Sequence, residues 1–285
     1  MHRLQQLSWL MLAAVTGMAL AGCRPAAAPT AEENITNEVV QPPPLPVVEP
    51  PIDRERLLTS VARAASAYAA GADNSEADRA LDGRRFEVRL RFGCGRGTTG
   101  DDVSGWTVDE SSKTLRLKAV PDLSFDDPLV RSLAGREGVE AVEGFWLKRP
   151  WLLTAACPAP KASEAKVPLQ RDPSANPAIE EEMQIAPRAP RVGIAQFFTA
   201  TDSRTGRRSD RPYESVKPLE EGGELGAAGF NLILSGRLTA GPAGRVIACG
   251  SASIDSWPDC IIFADIDQVR MERPETRKVI AEWAS

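Results

Sequence analysis

Arg85-Phe86-Glu87-Val88-Arg89-Leu90-Arg91-Phe92 alternates between apolar and charged residues without a break. Successive side chains of a strand point to opposite faces, so Phe86, Val88, Leu90 and Phe92 share one face. Arg85, Glu87, Arg89 and Arg91 share the other. A helix would scatter both sets around its circumference. The octet therefore predicts a half-buried strand with an apolar inner face and a charged outer face. Other stretches repeat the theme. Residues 107–109 and 114–120 read as strands around a polar turn at Ser111-Ser112. Residues 191–200, with Ile194, Phe197 and Phe198, read as an apolar strand. Phe230–Leu238 and 245–249 read as a hairpin closed by Gly241-Pro242-Ala243-Gly244. A strand begins at 260–263, and 269–272 with 278–283 predicts a last hairpin around Pro274-Glu275.

Helix is concentrated in the part before residue 134, with one further turn open to Glu180-Glu181-Glu182. Over Arg54–Ala70, Leu57, Leu58, Val61, Ala65 and Tyr68 recur at helical spacing, and Gly71 suits the C-terminal cap. Residues 76–81 and Pro128–Leu133 predict two short helices. Asp73, Ser75 and Asp78 have part of the pattern of a calcium loop but lack its glycine and last glutamate, so they read as helix caps. An extended piece at 139–154 carries Trp146 and Trp151, and tryptophans beside a cysteine are expected to pack in a core.

The expected fold class is α+β, mostly antiparallel β: two β-rich, sandwich-like lobes at 54–157 and 191–285, with the long helix at the start of the first. Between them, 158–190 is poor in large apolar residues and rich in proline, which predicts a linker or surface excursion. About 200 residues are left to fold, enough for one large domain or two small ones.

The N-terminus reads as a targeting segment. Arg3 precedes an apolar run from Leu7 to Leu20, fourteen residues long. A membrane span needs about 20, so the run suits the core of a secretory signal. It ends in Leu20-Ala21-Gly22-Cys23, which resembles the lipobox of bacterial lipoproteins. That resemblance implies cleavage of residues 1–22 and attachment of a diacylglycerol, with further acyl groups such as palmitate, to Cys23. One acyl chain holds a protein only weakly and two or three hold it stably, at about 0.8 kcal/mol per buried methylene. Arg24, where an aspartate would signal retention in the inner membrane, implies sorting to the outer membrane, facing the periplasm. Residues 23–53, rich in proline and alanine, then form a tether that cannot build a core.

The net charge of the 285 residues is −5, and removing residues 1–22, whose only charged side chain is Arg3, leaves −6. Nothing there favours nucleic acid, which wants a basic face. The single histidine, His2, would leave with the signal, so the mature chain could not use a Ser-His or Cys-His pair or a histidine-ligated zinc. Beside Cys23 stand Cys94, Cys157, Cys249 and Cys260, an even set in an exported chain. It allows three connectivities, of which Cys94–Cys157 with Cys249–Cys260 keeps each bridge within one half. A four-thiolate zinc site lacks the usual close spacing.

Other motifs carry less. Gly95-Arg96-Gly97-Thr98-Thr99-Gly100 has a dinucleotide-binding spacing, but Asp101-Asp102 would repel a phosphate where a helix should begin. Ser163-Glu164-Ala165-Lys166 has a penicillin-binding spacing inside a proline-rich linker, without the partner motifs. Arg204, Arg207, Arg208 and Arg211 form a candidate anion site beside Tyr213, suited to phosphate or carboxylate, although Asp202 and Asp210 offset part of the charge. Asp126-Asp127 and Asp265 with Asp267 are carboxylate pairs of the type a glycosidase needs. The expectation is a non-enzymatic, lipid-anchored module of the cell envelope, without cofactor. Its candidate partners are the membrane, another envelope protein, lipid A or peptidoglycan. A carboxylate-dependent cell-wall hydrolase and a small-ligand carrier are the alternatives.

Overall fold

The alternating octet is strand β1, Arg85–Phe92, and its inner face is fully buried: Phe86, Val88, Leu90 and Phe92 all join the main core. The structure is a computed structural model, and its described residues are 49–95, 104–134, 138–158, 190–202, 208, 211–219, 228–251, 253 and 255–284. Residues 1–48 and 159–189, with the signal, nearly all of the tether and the linker, lie outside them. So do Ser163 and Lys166, and all but Gly95 of the 95–100 motif.

The fold is mixed α+β, dominated by antiparallel sheet, with two sheet regions and an N-terminal helix. Helix α1, Arg54–Ala70, begins at Asp53, whose carboxylate accepts from the Arg56 N–H, and ends at Gly71 with φ of 62°. A left-handed residue at that position costs glycine nothing, and its N–H returns to the carbonyls of the last turn. Helices α2, Ser75–Arg79, and α3, Pro128–Leu133, follow. Asp78 lies within α2 and does not cap it, contrary to the expectation. It is 3% exposed and accepts from the Val246 and Ile247 N–H groups, both at 2.8 Å, which ties α2 to the chain at 246–247.

The remaining strands are β2 (Gly105–Asp109), β3 (Thr114–Ala119), β4 (Val139–Trp146), β5 (Val192–Thr199), β6 (Tyr213–Pro218), β7 (Phe230–Leu238), β8 (Ile247–Gly250), β9 (Asp259–Glu272) and β10 (Val279–Ala284). The larger sheet runs β1-β7-β9-β5-β4, with β8 and β10 also paired to β9. The smaller is β2-β3-β6. Each sheet draws strands from both sides of residues 159–189, and Val48–Ser285 form one compact unit. The proline-rich stretch therefore does not divide the two sheets, because β1 pairs with β7 along its whole length and β6 pairs with β3.

Strand β9 is the hub. Residues 260–263 pair in parallel with β5, residues 259–262 antiparallel with β8, and residues 264–272 with β7. The sequence reads as two strands here because Asp265 and Asp267 interrupt the apolar run, but the chain only shifts register opposite Ser235 and Gly236. A side-chain carbon at Gly236 would run into the Asp265 carbonyl, so only glycine fits this close approach. The expected β7–β8 hairpin does not form: both strands pair with β9 instead. The β9–β10 hairpin does form, around 273–278.

Two apolar clusters lie on opposite faces of the β5–β9 region. Ile194 and Ile262 belong to the main core with α1, β1 and β3. Ala195 and Ile261 belong to a smaller core beneath α3. A strand covered on both faces reads as a continuous apolar run, which is what β5 shows. The outer face of β1 is charged, as the alternation predicts, with Arg85 exposed and Glu87, Arg89 and Arg91 partly covered. Glu272, 2% exposed, accepts from Arg89 Nε at 3.0 Å and Asn231 Nδ2 at 2.8 Å, and Glu87 pairs with Arg89 and Arg270. The sequence reading assigned charge to that face correctly, but could not see that 152–155 lie over part of it.

Candidate binding groove

Helix α1 presents one face to the core and a second, made of small residues, to a groove of about 590 Å³. Leu58 and Val61 form the deeper part. Ala62, Ala65, Ser66 and Ala69 recur at helical spacing along its length, and their short side chains leave the space unfilled. The opposite wall is Pro150 and Trp151. Pro190, Val192, Trp257, Pro258 and Cys260 complete the lining. None of these side chains is charged, and Ser66 carries the one hydroxyl.

Both tryptophans stand out from the surface, Trp151 at 62% and Trp257 at 64% exposed. The two tryptophans of the 139–154 stretch thus have different fates. Trp146 packs beneath Arg191, whose guanidinium carbon sits 4.2 Å from the ring centroid. Trp151 follows Arg149, with φ of 52°, and Pro150, which together turn the chain outward. The expected core packing therefore holds for Trp146 and not for Trp151.

Two arginines fix the walls. Arg54, the first residue of α1, is 6% exposed. It donates from Nε to the Leu152 carbonyl at 2.9 Å and from Nη2 to those of Lys148 and Arg149 at 3.1 and 3.0 Å. These carbonyls bracket Pro150 and Trp151. Burial, and then the Arg149 charge, hold the Arg54 guanidinium below its ordinary pKa. Arg191 does the same for the floor. It donates to Asp259 Oδ2 from Nε and Nη2 at 2.9 and 2.7 Å, and to Asp127 Oδ2 from Nη1 at 2.7 Å. Its chain neighbours Pro190 and Val192, and those of Asp259, Pro258 and Cys260, line the groove.

Burial raises the Asp127 carboxyl, but the Arg191 hydrogen bond and the Leu129 N–H outweigh it and leave it below the usual 3.8. A carboxyl depressed in the folded state contributes stability above that value and loses it as pH falls through the folded one. Replacing Arg191 with methionine takes from Asp127 its ion-pair partner and from Asp259 a bidentate one. The expected loss is about 2 kcal/mol at pH 7, below the range for a fully buried pair because the side chain is 27% exposed. Urea unfolding of both proteins from pH 7 to pH 3 checks it, and the difference should shrink below pH 4 as Asp127 protonates.

The cysteines join as Cys94–Cys157 and Cys249–Cys260. Cys249 and Cys260 are direct partners in the β8–β9 register, with Cα atoms 4.1 Å apart, the close spacing of a non-hydrogen-bonded antiparallel pair. This bridge lies under the groove floor at Cys260.

Other sequence-predicted residues do not gather here. Cys23, Arg204 and Arg207 lie outside the described residues. The Arg208 guanidinium stacks 4.4 Å from the Tyr213 ring centroid and donates to the Pro212 carbonyl at 3.0 Å, and Arg211 Nε donates to the Arg208 carbonyl at 2.9 Å. Burial, and then the Glu143 carboxylate, push the Tyr213 phenol up to about 12.

The carboxylate pairs separate. Asp127 caps α3 and holds Arg191, while Asp267 pairs with Arg85 at 3.2 Å. Asp265 opens into a different cavity of about 570 Å³, beside Phe197, Phe263 and Thr199. Although its tip is exposed, partial desolvation against these walls, and then the Asp202 carboxylate, raise its carboxyl. Among the described residues no three His, Cys, Asp or Glu side chains stand together as a metal site, and no helix is long and apolar enough to cross a membrane. Comparison of the chain with protein-family models, with curated proteins and with solved structures finds no match.

Proposed function

We propose that the protein is a non-enzymatic binding module of a bacterial cell envelope, held at a membrane by lipid on Cys23, with the α1 groove as its binding surface. The observation that carries the binding role is an uncharged groove of drug-ligand size with two exposed tryptophans at its edge. Large apolar side chains left in water at a concave site mark a place where something binds. The anchor rests on the resemblance of residues 20–23 to a lipobox. The outer membrane, facing the periplasm, is the proposed address, and the two disulfides suit that oxidising surrounding. An envelope protein, lipid A or peptidoglycan is the proposed partner, the last two through Arg204, Arg207, Arg208 and Arg211.

Membrane fractionation of cells making the wild-type and Cys23→Ser chains tests the anchor. The wild type should sediment with membranes and the variant should be released. Unchanged sedimentation of the variant would remove the anchor from the account.

One observation favours the hydrolase reading: the raised carboxyl of Asp265 in a cavity floored by phenylalanine, with Asp202 acting on it. A glycosidase needs two carboxylates free to work across a bound sugar. Asp202 instead accepts from the Thr199 N–H and, at 2.8 Å, its hydroxyl. Binding is therefore the reading the geometry supports better.

A further inference from the structure

We propose that the α1 groove takes the single extended acyl chain of a monomeric fatty acid. The inference deepens the binding role assigned to the groove above and rests on it, but not on the lipid anchor.

Length comes first. The groove follows α1 from Leu58 to Ala70, twelve residue steps, or about 18 Å at 1.5 Å per residue. One leaflet of a bilayer hydrocarbon core is about 15 Å deep, which is the reach of one membrane acyl chain. Cross-section comes next. The free space of about 590 Å³ is drawn out along that length, which suits one slender chain.

Chemistry then separates an acyl chain from a peptide or a sugar. An extended peptide carries an N–H and a carbonyl at every residue, and each costs about 1–3 kcal/mol if buried without a partner. The walls offer it little. One is a helix whose backbone groups bond within the helix, and three other lining residues, Pro150, Pro190 and Pro258, have no N–H. A saccharide would face the same walls with still more hydroxyls. A methylene chain has no polar group to satisfy. The indoles of Trp151 and Trp257, apolar in body with one N–H, suit the boundary where the chain leaves the groove and its carboxylate meets water.

The test titrates the full chain carrying Cys23→Ser, which has no acyl group of its own, with saturated fatty acids of eight to sixteen carbons, followed by tryptophan fluorescence. Saturable one-to-one binding is expected. Its affinity should rise up to about fourfold per added methylene and level off once the chain fills the groove. Ala62→Phe with Ala69→Phe, at two exposed helix positions, should weaken binding at least tenfold while leaving the thermal midpoint and circular dichroism unchanged. Should the double variant disturb folding, Trp257→Ala provides the second arm, with a several-fold loss. Affinity independent of chain length, binding indifferent to all three substitutions, or binding only to phosphatidylcholine vesicles would overturn the proposal. Fractionation of the Cys23→Ser protein reads the anchor separately, so either idea can fail while the other stands.

Discussion

Replacing Cys94 and Cys157 together with alanine is expected to lower the stability of the folded body by about 4 kcal/mol. The bridge spans 63 residues of sequence, and constraining a loop of that length in the unfolded chain contributes about that much. The native state adds a reason of its own. The segment that leads to Cys157 lies across the outer face of β1, where Arg91 donates to the Ala155 carbonyl at 3.0 Å. Without the bridge, that cover depends on hydrogen bonds alone. Removing Cys249–Cys260, which spans 11 residues, should cost less, about 3 kcal/mol, since the β8–β9 register already places its ends together. Urea unfolding of the oxidised wild type beside each double variant checks both figures. A loss under 1 kcal/mol for Cys94/Cys157 would contradict the long-loop argument.

Replacing Arg54 with methionine should cost about 3 kcal/mol and disorganise the groove wall. Methionine keeps an unbranched apolar stem of similar reach, so packing is largely retained and the hydrogen bonds are what is lost. The guanidinium serves the carbonyls of Leu152, Lys148 and Arg149, and at 3.4 Å that of Arg89. A carbonyl stranded in a partly buried site costs about 1–3 kcal/mol, and water entering from the surface will recover part of it. Lysine should not rescue the site, because one ammonium cannot reach donors' worth of carbonyls spread around a planar fork. The second readout is local: hydrogen exchange at the Leu152 N–H, which donates to the Arg149 carbonyl, should quicken far more than at β7. Equal protection of the Leu152 N–H in the variant would mean that something other than Arg54 holds this wall.

Several elements were legible because the signal is local. The alternation of 85–92 marks β1, and the apolar spacing of 54–70 with Gly71 after it marks α1. Pro128 marks the start of α3, and the favoured cysteine connectivity is the one that forms. What failed depended on partners distant in sequence. Residues 230–249 have the form of a hairpin, yet β7 and β8 each find β9, whose two halves look like separate strands. The two halves of the chain look like lobes, but β1–β7 and β3–β6 pairing interleaves them.

The groove was harder still to read. Its lining comes from 58–70, 150–151, 190–192 and 257–260, and no stretch of sequence brings these together. The periodicity of α1 includes Tyr68 in the apolar face, which is 48% exposed, and misses Ala64, which is buried. An alanine stripe gives almost no hydrophobic signal, because its role is the space it leaves. Trp257 next to Pro258 was the sharper clue: a large aromatic in a polar loop, with no periodic pattern to bury it.

The groove's role as a binding surface is tested most directly by the indole N–H resonances of ¹⁵N-labelled Cys23→Ser protein during titration with dodecanoic acid. Trp151 and Trp257 should both shift and saturate at one equivalent. Trp106, which donates to the Gly93 carbonyl at 3.0 Å, and Trp283, edge-on to Tyr213, should stay in place. Shifts spread evenly over all the indoles, or none at Trp151 and Trp257, would contradict the account.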